Sequence, residues 1–246
     1  PFVPDSDNTD VGKLNSLFNM DFLVNILGGF FMENFGKFFS TTGGKTTIIL
    51  LISFAFLFFV FYFRRDEKIF STKALTYSAI LLALGISANQ IKFFSLPQGG
   101  SITLFSMIFV VFIGYMFGLR VGLIAGITFG LLNLLIKPEV YTPVQAIIDY
   151  ILAFGSLGLS GLFANKKDKL IPAYLIAITG RFIFAVFSGY VFFGSYAPKG
   201  WNPLFYSIWY NFSYIGTEGI ITVLLLLIPV VRNTLEKLKS SNFKTN

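Results

Sequence analysis

The chain is constrained most by its long apolar runs, which carry few charges to offset them. The runs fall at 46–63, 73–94, 102–117, 121–136, 143–163, 170–194 and 204–231, separated by short polar breaks. A membrane-crossing helix needs roughly 20 mainly apolar residues, and each run is near that length. Charged residues make up 13% of the chain and the mean hydropathy is +0.72. A soluble domain carries roughly 25% charged residues, so this chain lacks the charge to cover a water-facing surface. No run alternates with period 2, which disfavours a transmembrane barrel. The expectation is an all-α integral membrane protein that contacts the lipid bilayer along most of its length.

The sequence contains no Cys and no His. Disulfides, thiol nucleophiles, thiolate or imidazole metal sites and His-based acid–base catalysis are therefore excluded. Neither an enzyme nor a cofactor or metal site is expected. The GxxxxGK[ST] pattern of a phosphate-binding loop is missing as well, so the chain does not itself supply an ATP-hydrolysing step.

Basic residues set the orientation. Arg64, Arg65, Lys68, Lys73, Arg120, Lys166, Lys167, Lys169, Arg232, Lys237, Lys239 and Lys244 fall on one side of the runs, and Lys13, Lys37, Lys45, Lys92, Lys137 and Lys199 on the other. The richer side is read as cytoplasmic. The C-terminus is then inside, the protein sits in the plasma membrane, and the N-terminal segment is outside. The net charge of +7 reflects this topology, and no nucleic-acid partner is expected because no basic–aromatic stripe is present.

Residues 1–45 differ from the rest. Their first ten are polar and acidic, while Leu14, Leu17, Phe18, Phe22, Leu23 and Ile26 follow helical spacing. An interfacial amphipathic helix fits that pattern. No basic stretch and no small-residue cleavage site mark a signal peptide.

Small residues recur where helices need to approach. Gly118, Gly122, Gly126 and Gly130 are four apart, and Gly155, Gly158 and Gly161 three apart. Such stripes let backbones meet closely, either within the chain or between subunits. Ala79 and Ala83 form a second small pair suited to a partner helix.

Asp149, Arg181 and Glu218 are ionisable residues inside the runs, where charge is costly and normally faces a bundle interior or a wet cavity. At a rise of about 1.5 Å per residue, Arg181 falls between the two acids in depth. An Arg181–Glu218 pair would close the bundle and leave Asp149 for a cationic ligand. Tyr141, Tyr150, Phe193, Tyr196, Trp201, Tyr206, Trp209, Tyr210 and Asn211 gather on the same outer side. They suit either an interfacial belt or a slot for a flat, positively charged heterocycle. The short loop Leu96-Pro97-Gln98-Gly99-Gly100-Ser101 is placed to cover such a slot.

An ordered set of segments carries a resemblance. It comprises that loop, then Gln145-Ala146-Ile147-Ile148-Asp149-Tyr150, Leu157-Gly158-Leu159-Ser160-Gly161-Leu162-Phe163, Gly180-Arg181-Phe182, Ser188-Gly189, Tyr196-Ala197-Pro198 and Tyr210-Asn211-Phe212-Ser213-Tyr214, ending at Glu218. Over 72–231 the chain resembles the substrate-binding (S) component of energy-coupling factor (ECF) vitamin transporters, most closely the thiamine-specific group.

The resemblance implies a six-helix bundle at 72–231 that opens outward and holds thiamine or a related small cationic nutrient. An extra transmembrane helix at 46–64 and the segment 1–45 lie outside the family pattern, and 232–246 would form a cytoplasmic tail. An ECF coupling membrane subunit and two ATPase subunits are implied as partners, with Ala79 and Ala83 as the docking pair. Asp149 falls where thiamine binders carry an acid near the ligand's cation, and Tyr141, Gln145 and Tyr150 lie in the matching segment. Gly189 and Phe193 match the aromatic slot, Tyr206 and Asn211 its polar side, and Glu218 completes the ligand-binding set. Two positions depart from the pattern: Ala185 stands where a His is common, and Phe193 where a Trp is. Two other readings are an S component for a different small nutrient, and a membrane assembly protein that transports nothing.

Overall fold

The computed structural model describes residues 71–243, together with Gly44 and Thr47. In chain order, α1 (Thr72–Gln90) leads into a hairpin of β1 (Lys92–Ser95) and β2 (Ser101–Thr103). Then follow α2 (Ser106–Phe117), α3 (Leu119–Ile136), α4 (Pro143–Phe163), α5 (Leu170–Phe192), α6 (Pro203–Leu227) and α7 (Pro229–Phe243). Residues 71–243 belong to a unit spanning 51–246. The expectations for 1–45 and for a helix at 46–64 lie outside the described residues.

Local chemistry starts three of these helices. Ser71 accepts the Ala74 amide at 3.1 Å at the head of α1. Thr142 accepts the Gln145 amide at 3.1 Å and Asn202 the Leu204 amide at 2.8 Å, each with a proline in the first turn of α4 or α6. Short side-chain acceptors satisfy amides that have no partner inside the helix, and proline at the first position loses nothing there.

Helices α3 to α6 are long and apolar enough to cross a membrane, and α2 is apolar but only 12 residues long. Three boundaries differ from the sequence expectation. The first run does not stay helical to residue 94, because α1 stops at Gln90 and residues 92–95 pair with 101–103. The register joins Lys92 to Thr103, Phe94 to Ile102 and Ser95 to Ser101, with an irregularity between Lys92 and Phe94. The hairpin arises because Phe93 and Phe94 are β-prone and precede a Pro-Gln-Gly-Gly turn. The second run therefore yields a helix only from Ser106. Third, the segment beyond the last run is not a plain tail: Pro229 opens α7, which reaches Phe243.

Glycines set the packing of α2, α3 and α4. A Cβ on Gly122 would lie 2.6 Å from the Gly114 Cα and 2.9 Å from the Gly158 carbonyl. A Cβ on Gly126 would strike the Phe154 carbonyl, and one on Gly130 the Tyr150 carbonyl. From the other side, Gly158 abuts the Gly122–Leu123 backbone and Gly161 that of Gly118–Leu119. The stripe is used within the chain. Its spacing follows helix type. Residues 156–163 of α4 wind with three residues per turn, so glycines three apart form one row, while α3 needs a spacing of four. Gly118 leaves the expected stripe: it sits between α2 and α3 at φ 96°, a conformation open to glycine and strained for other residues.

Around this platform Met107, Tyr115, Phe129, Leu157 and Tyr174 form a continuous core. Helix α7 closes one end of it. Lys239 is only 5% exposed, so its ammonium is a buried cation, held over the Tyr115 ring at 3.3 Å and donating to the Lys166 carbonyl at 2.7 Å. Tyr115 in turn donates to Glu236 at 2.7 Å.

Replacing Gly122 with Ala forces backbone apart, and a loss of about 1–3 kcal/mol is expected from overpacking, read as a lower unfolding temperature in detergent. Burial pulls Lys239 down from 10.5 to about 8. Between those values the unfolded chain binds more protons, so stability rises with pH across that window. Lys239→Met is expected to remove this dependence, as thermal unfolding at about pH 8 and about pH 10 would register.

Candidate functional site

A cavity of about 170 Å³ opens among the hairpin, α3, α4, α5 and α6. Its walls come from two places where helices depart from α geometry. In α4, residues Ile147–Leu152 wind as a π-helical turn that carries Asp149 and Tyr150. In α6, Phe212–Gly216 do the same between Asn211 and Glu218. An extra residue per turn rotates the following side chains and frees backbone groups, and such turns often occur at functional sites.

On the α4 side, Gln145 is a hub. Its Nε2 donates to the Asp149 Oδ2 and to the Glu139 carbonyl, the latter at 3.2 Å, and its Oε1 accepts the Tyr141 amide at 3.1 Å. Tyr150 accepts the Glu139 amide at 3.0 Å and donates to the Lys137 carbonyl at 3.3 Å. These bonds fix the loop between α3 and α4 against the cavity and hold the Asp149 carboxylate from one edge. Ser188 of α5 flanks the same carboxylate.

The α5–α6 wall is as tightly tied. Gly189 lets the helices touch, since a Cβ there would strike the Ser207 hydroxyl. Asn211 donates to the Ala185 carbonyl at 3.2 Å and the Ser207 carbonyl at 2.9 Å, and accepts the Tyr214 hydroxyl at 2.8 Å. Tyr206, Tyr210 and Tyr214, each four residues from the next, pack as an aromatic ladder with ring centroids 6.0 and 5.7 Å apart. Phe193 caps α5 and meets Tyr141 edge-on at 5.0 Å.

The expected residues Gln145, Asp149, Tyr150, Gly189, Phe193, Tyr206, Asn211 and Glu218 all line the cavity. Tyr141 does not: it is 55% exposed at the rim and reaches the site through Phe193. Ala185 lines the wall and adds no polar side-chain group there. Ala79 and Ala83 are exposed on α1, away from the cavity lining. Among the described residues no ion pair joins Arg181 to Glu218. Arg181 instead lies over the Phe154 ring at 4.1 Å, and Glu218 accepts both the amide and the hydroxyl of Thr103 at 2.8 Å. The aromatic face holds the guanidinium, so the acid is free to anchor the hairpin.

Sequence reasoning missed part of the lining. Lys92 and Lys137 entered it only as basic residues of the outer side, and Glu139 not at all. They meet at the mouth, with Lys137 paired to Glu139 at 2.7 Å. Burial, then the neighbouring Lys137, pulls the Lys92 ammonium below the usual lysine value. The Glu139 carboxylate raises that of Lys137. Asn89 and Asn133 were also missed. They hydrogen-bond each other across α1 and α3, and the signal was available as amide side chains inside apolar runs.

The hairpin tip is latched to the aromatic ladder. The Gly100 amide donates to the Tyr210 hydroxyl at 3.0 Å, and that hydroxyl donates to the Pro97 carbonyl. Tyr210→Phe removes both bonds. A net cost of about 1 kcal/mol is expected, seen as faster hydrogen exchange of the Gly100 amide with the helices unchanged.

Comparison with known proteins places this architecture. The family described as thiamine transporter protein (Thia_YuaJ) matches residues 75–238. The thiamine transporter ThiT of Bacillus subtilis (strain 168) is 37% identical over 164 residues, covering 60% of this chain and 85% of that protein. The ThiT of Lacticaseibacillus paracasei is 30% identical over 127 residues, 43% of this chain and 63% of that protein. The solved structure of ThiT from Listeria monocytogenes superposes with a TM-score of 0.54 at 29% identity, covering 65% of this chain and 97% of that one. These relatives are transporters rather than enzymes. With four apolar helices long enough to cross a membrane and the family pattern running from 75 to 238, this multi-pass membrane protein belongs to the thiamine transporter protein family.

Proposed function

We propose that the chain is the S component of an ECF transporter and captures thiamine at the outer face of the plasma membrane. The observation that carries this reading is the cavity itself. A buried-edge carboxylate, an aromatic ladder and fixed amides converge beneath one hairpin. Thiamine is a cation of two flat rings joined by a methylene bridge, with a permanent positive charge on its thiazolium ring and an amino group on its pyrimidine. Asp149 offsets the charge, in a setting where low dielectric strengthens the attraction. Phe193, Tyr206 and the rim residue Tyr141 offer ring faces and edges to the heterocycles. Gln145, Tyr150, Asn211 and Glu218 supply or position polar contacts, and Gly189 brings α6 close enough to α5 to shape the slot.

The architecture we infer is a six-helix bundle, α1 to α6 over 72–231. From the excess of Lys and Arg we read 232–246 as cytoplasmic and the hairpin as outside. Ala79 and Ala83 lie on the exposed face of α1, where small residues allow close approach of a helix from the coupling membrane subunit. Two ATPase subunits bound to that partner supply the energy for release inside. The chain's own part is binding, orientation and exclusion of water.

Calorimetry tests the reading directly. Asp149→Asn keeps the shape and removes the charge, and thiamine affinity is expected to fall at least about tenfold, or about 1.4 kcal/mol. Unchanged affinity would remove Asp149 from this role. A thermal-shift screen of vitamins and precursors checks the substrate, because stabilisation by another nutrient and none by thiamine would replace it.

A further inference from the structure

The Glu218 carboxylate has one oxygen engaged and one to spare. Oε2 accepts the Thr103 amide and the Thr103 hydroxyl, both at 2.8 Å. Thr103 is the last residue of β2, so this oxygen grips the base of the hairpin whose tip Tyr210 holds. Oε1 is buried and accepts no hydrogen bond among the described residues. The Met107 amide at the start of α2 also faces the carboxylate, short of hydrogen-bond geometry on Oε1. The residue is 3% exposed, and it lines the cavity. A buried carboxylate oxygen without a donor is costly, and charged groups are costlier than neutral ones. Oε1 therefore keeps capacity for a further donor. Because Glu218 lines the cavity, an occupant can supply that donor.

We infer that Glu218 is a positioning residue that links occupancy of the cavity to the hairpin: Oε1 takes an N–H donor from a bound amino-heterocycle while Oε2 holds Thr103. The inference rests on the thiamine-binding reading and adds to it a donor-bearing ligand edge and a route from ligand to lid. The route is short and continuous. From Thr103 the contacts pass to Ser106 at 2.7 Å, then to Asn89 and Asn133, so the hairpin base, α1, α2 and α3 share one polar chain with the carboxylate. A ligand donor on Oε1 fixes the side-chain rotamer, and a fixed rotamer holds Oε2 where Thr103 needs it. Coupling of this kind is reciprocal: a ligand that orders the hairpin is bound more tightly when the hairpin is ordered.

The test uses the full chain in detergent, with thiamine as the probe and two readouts, calorimetric affinity and hydrogen exchange of amides 92–103. In the unsubstituted protein thiamine is expected to slow exchange across the hairpin. Glu218→Gln is expected to lower thiamine affinity at least about tenfold, the loss of a hydrogen bond to a charged group, and to abolish that slowing. Its ligand-free unfolding temperature should stay within about 4 °C of the unsubstituted chain, since the oxygen it neutralises has no partner in the fold. Thr103→Val keeps Oε1 and removes one bond to Oε2. The hairpin should lose protection and, because the coupling is reciprocal, thiamine affinity should fall, by less than in Glu218→Gln. Glu218→Gln binding thiamine like the unsubstituted chain would overturn the inference and leave the function standing, as would full hairpin protection in Thr103→Val. A large drop in the unfolding temperature of ligand-free Glu218→Gln would make the residue purely structural and overturn it too. Failure of the unsubstituted chain to bind thiamine would overturn the function reading and this inference with it.

Discussion

The rest of the structure depends on the close backbone contact among α2, α3 and α4. Among lipid tails, which are as apolar as leucine, the hydrophobic effect does not drive helices together, and association falls to van der Waals packing and polar contacts. Glycines at 114, 122, 126, 130, 155, 158 and 161 bring three backbones into close approach. A platform packed this closely does not slide. It fixes the far end of α4, and with it the π-helical turn on which Asp149 and Tyr150 stand.

From that platform the site is assembled by polar bookkeeping of the strictest kind. Every buried donor or acceptor in an apolar interior must find a partner or raise the energy. Gln145, Asn211 and Tyr150 meet this demand by bridging elements: loop to α4, α5 to α6, and loop to α4 again. Arg181 meets it differently, over the face of Phe154. The groups that hold the cavity open are thus mostly used up in holding it. Among those with capacity left are the Asp149 carboxylate, the Ser188 hydroxyl and the second oxygen of Glu218, where an occupant has most to gain.

Much of this was legible in the residues. The run boundaries at 143, 163 and 170 match helix limits because Thr142-Pro143 and the Lys-rich break at 166–169 are local signals that act within one turn. The glycine stripes were readable for the same reason, since helical periodicity converts spacing into a face. Eight expected site residues line one cavity because they sit near the same ends of neighbouring helices, and topology makes those ends converge. The hairpin was not legible: Phe93 and Phe94 prolong an apolar run, and hydropathy cannot distinguish the end of a helix from a strand of similar residues. The Arg181–Glu218 pairing failed because depth along a helix says nothing about rotation around it.

By itself, the sequence determined the solvent class of the protein, its mostly helical makeup, the faces along which helices meet and the residue types available to hold a flat cation. These follow from composition and from periods of three to four residues, which are local quantities. Only the tertiary structure decided which charges found each other. It gave Glu218 to Thr103 and not to Arg181, put Tyr141 at the rim, and brought Lys92, Lys137 and Glu139 to one mouth. Those outcomes depend on helix rotation and on two π-helical turns, which are set by the sum of contacts with other elements and leave no fixed spacing in the chain.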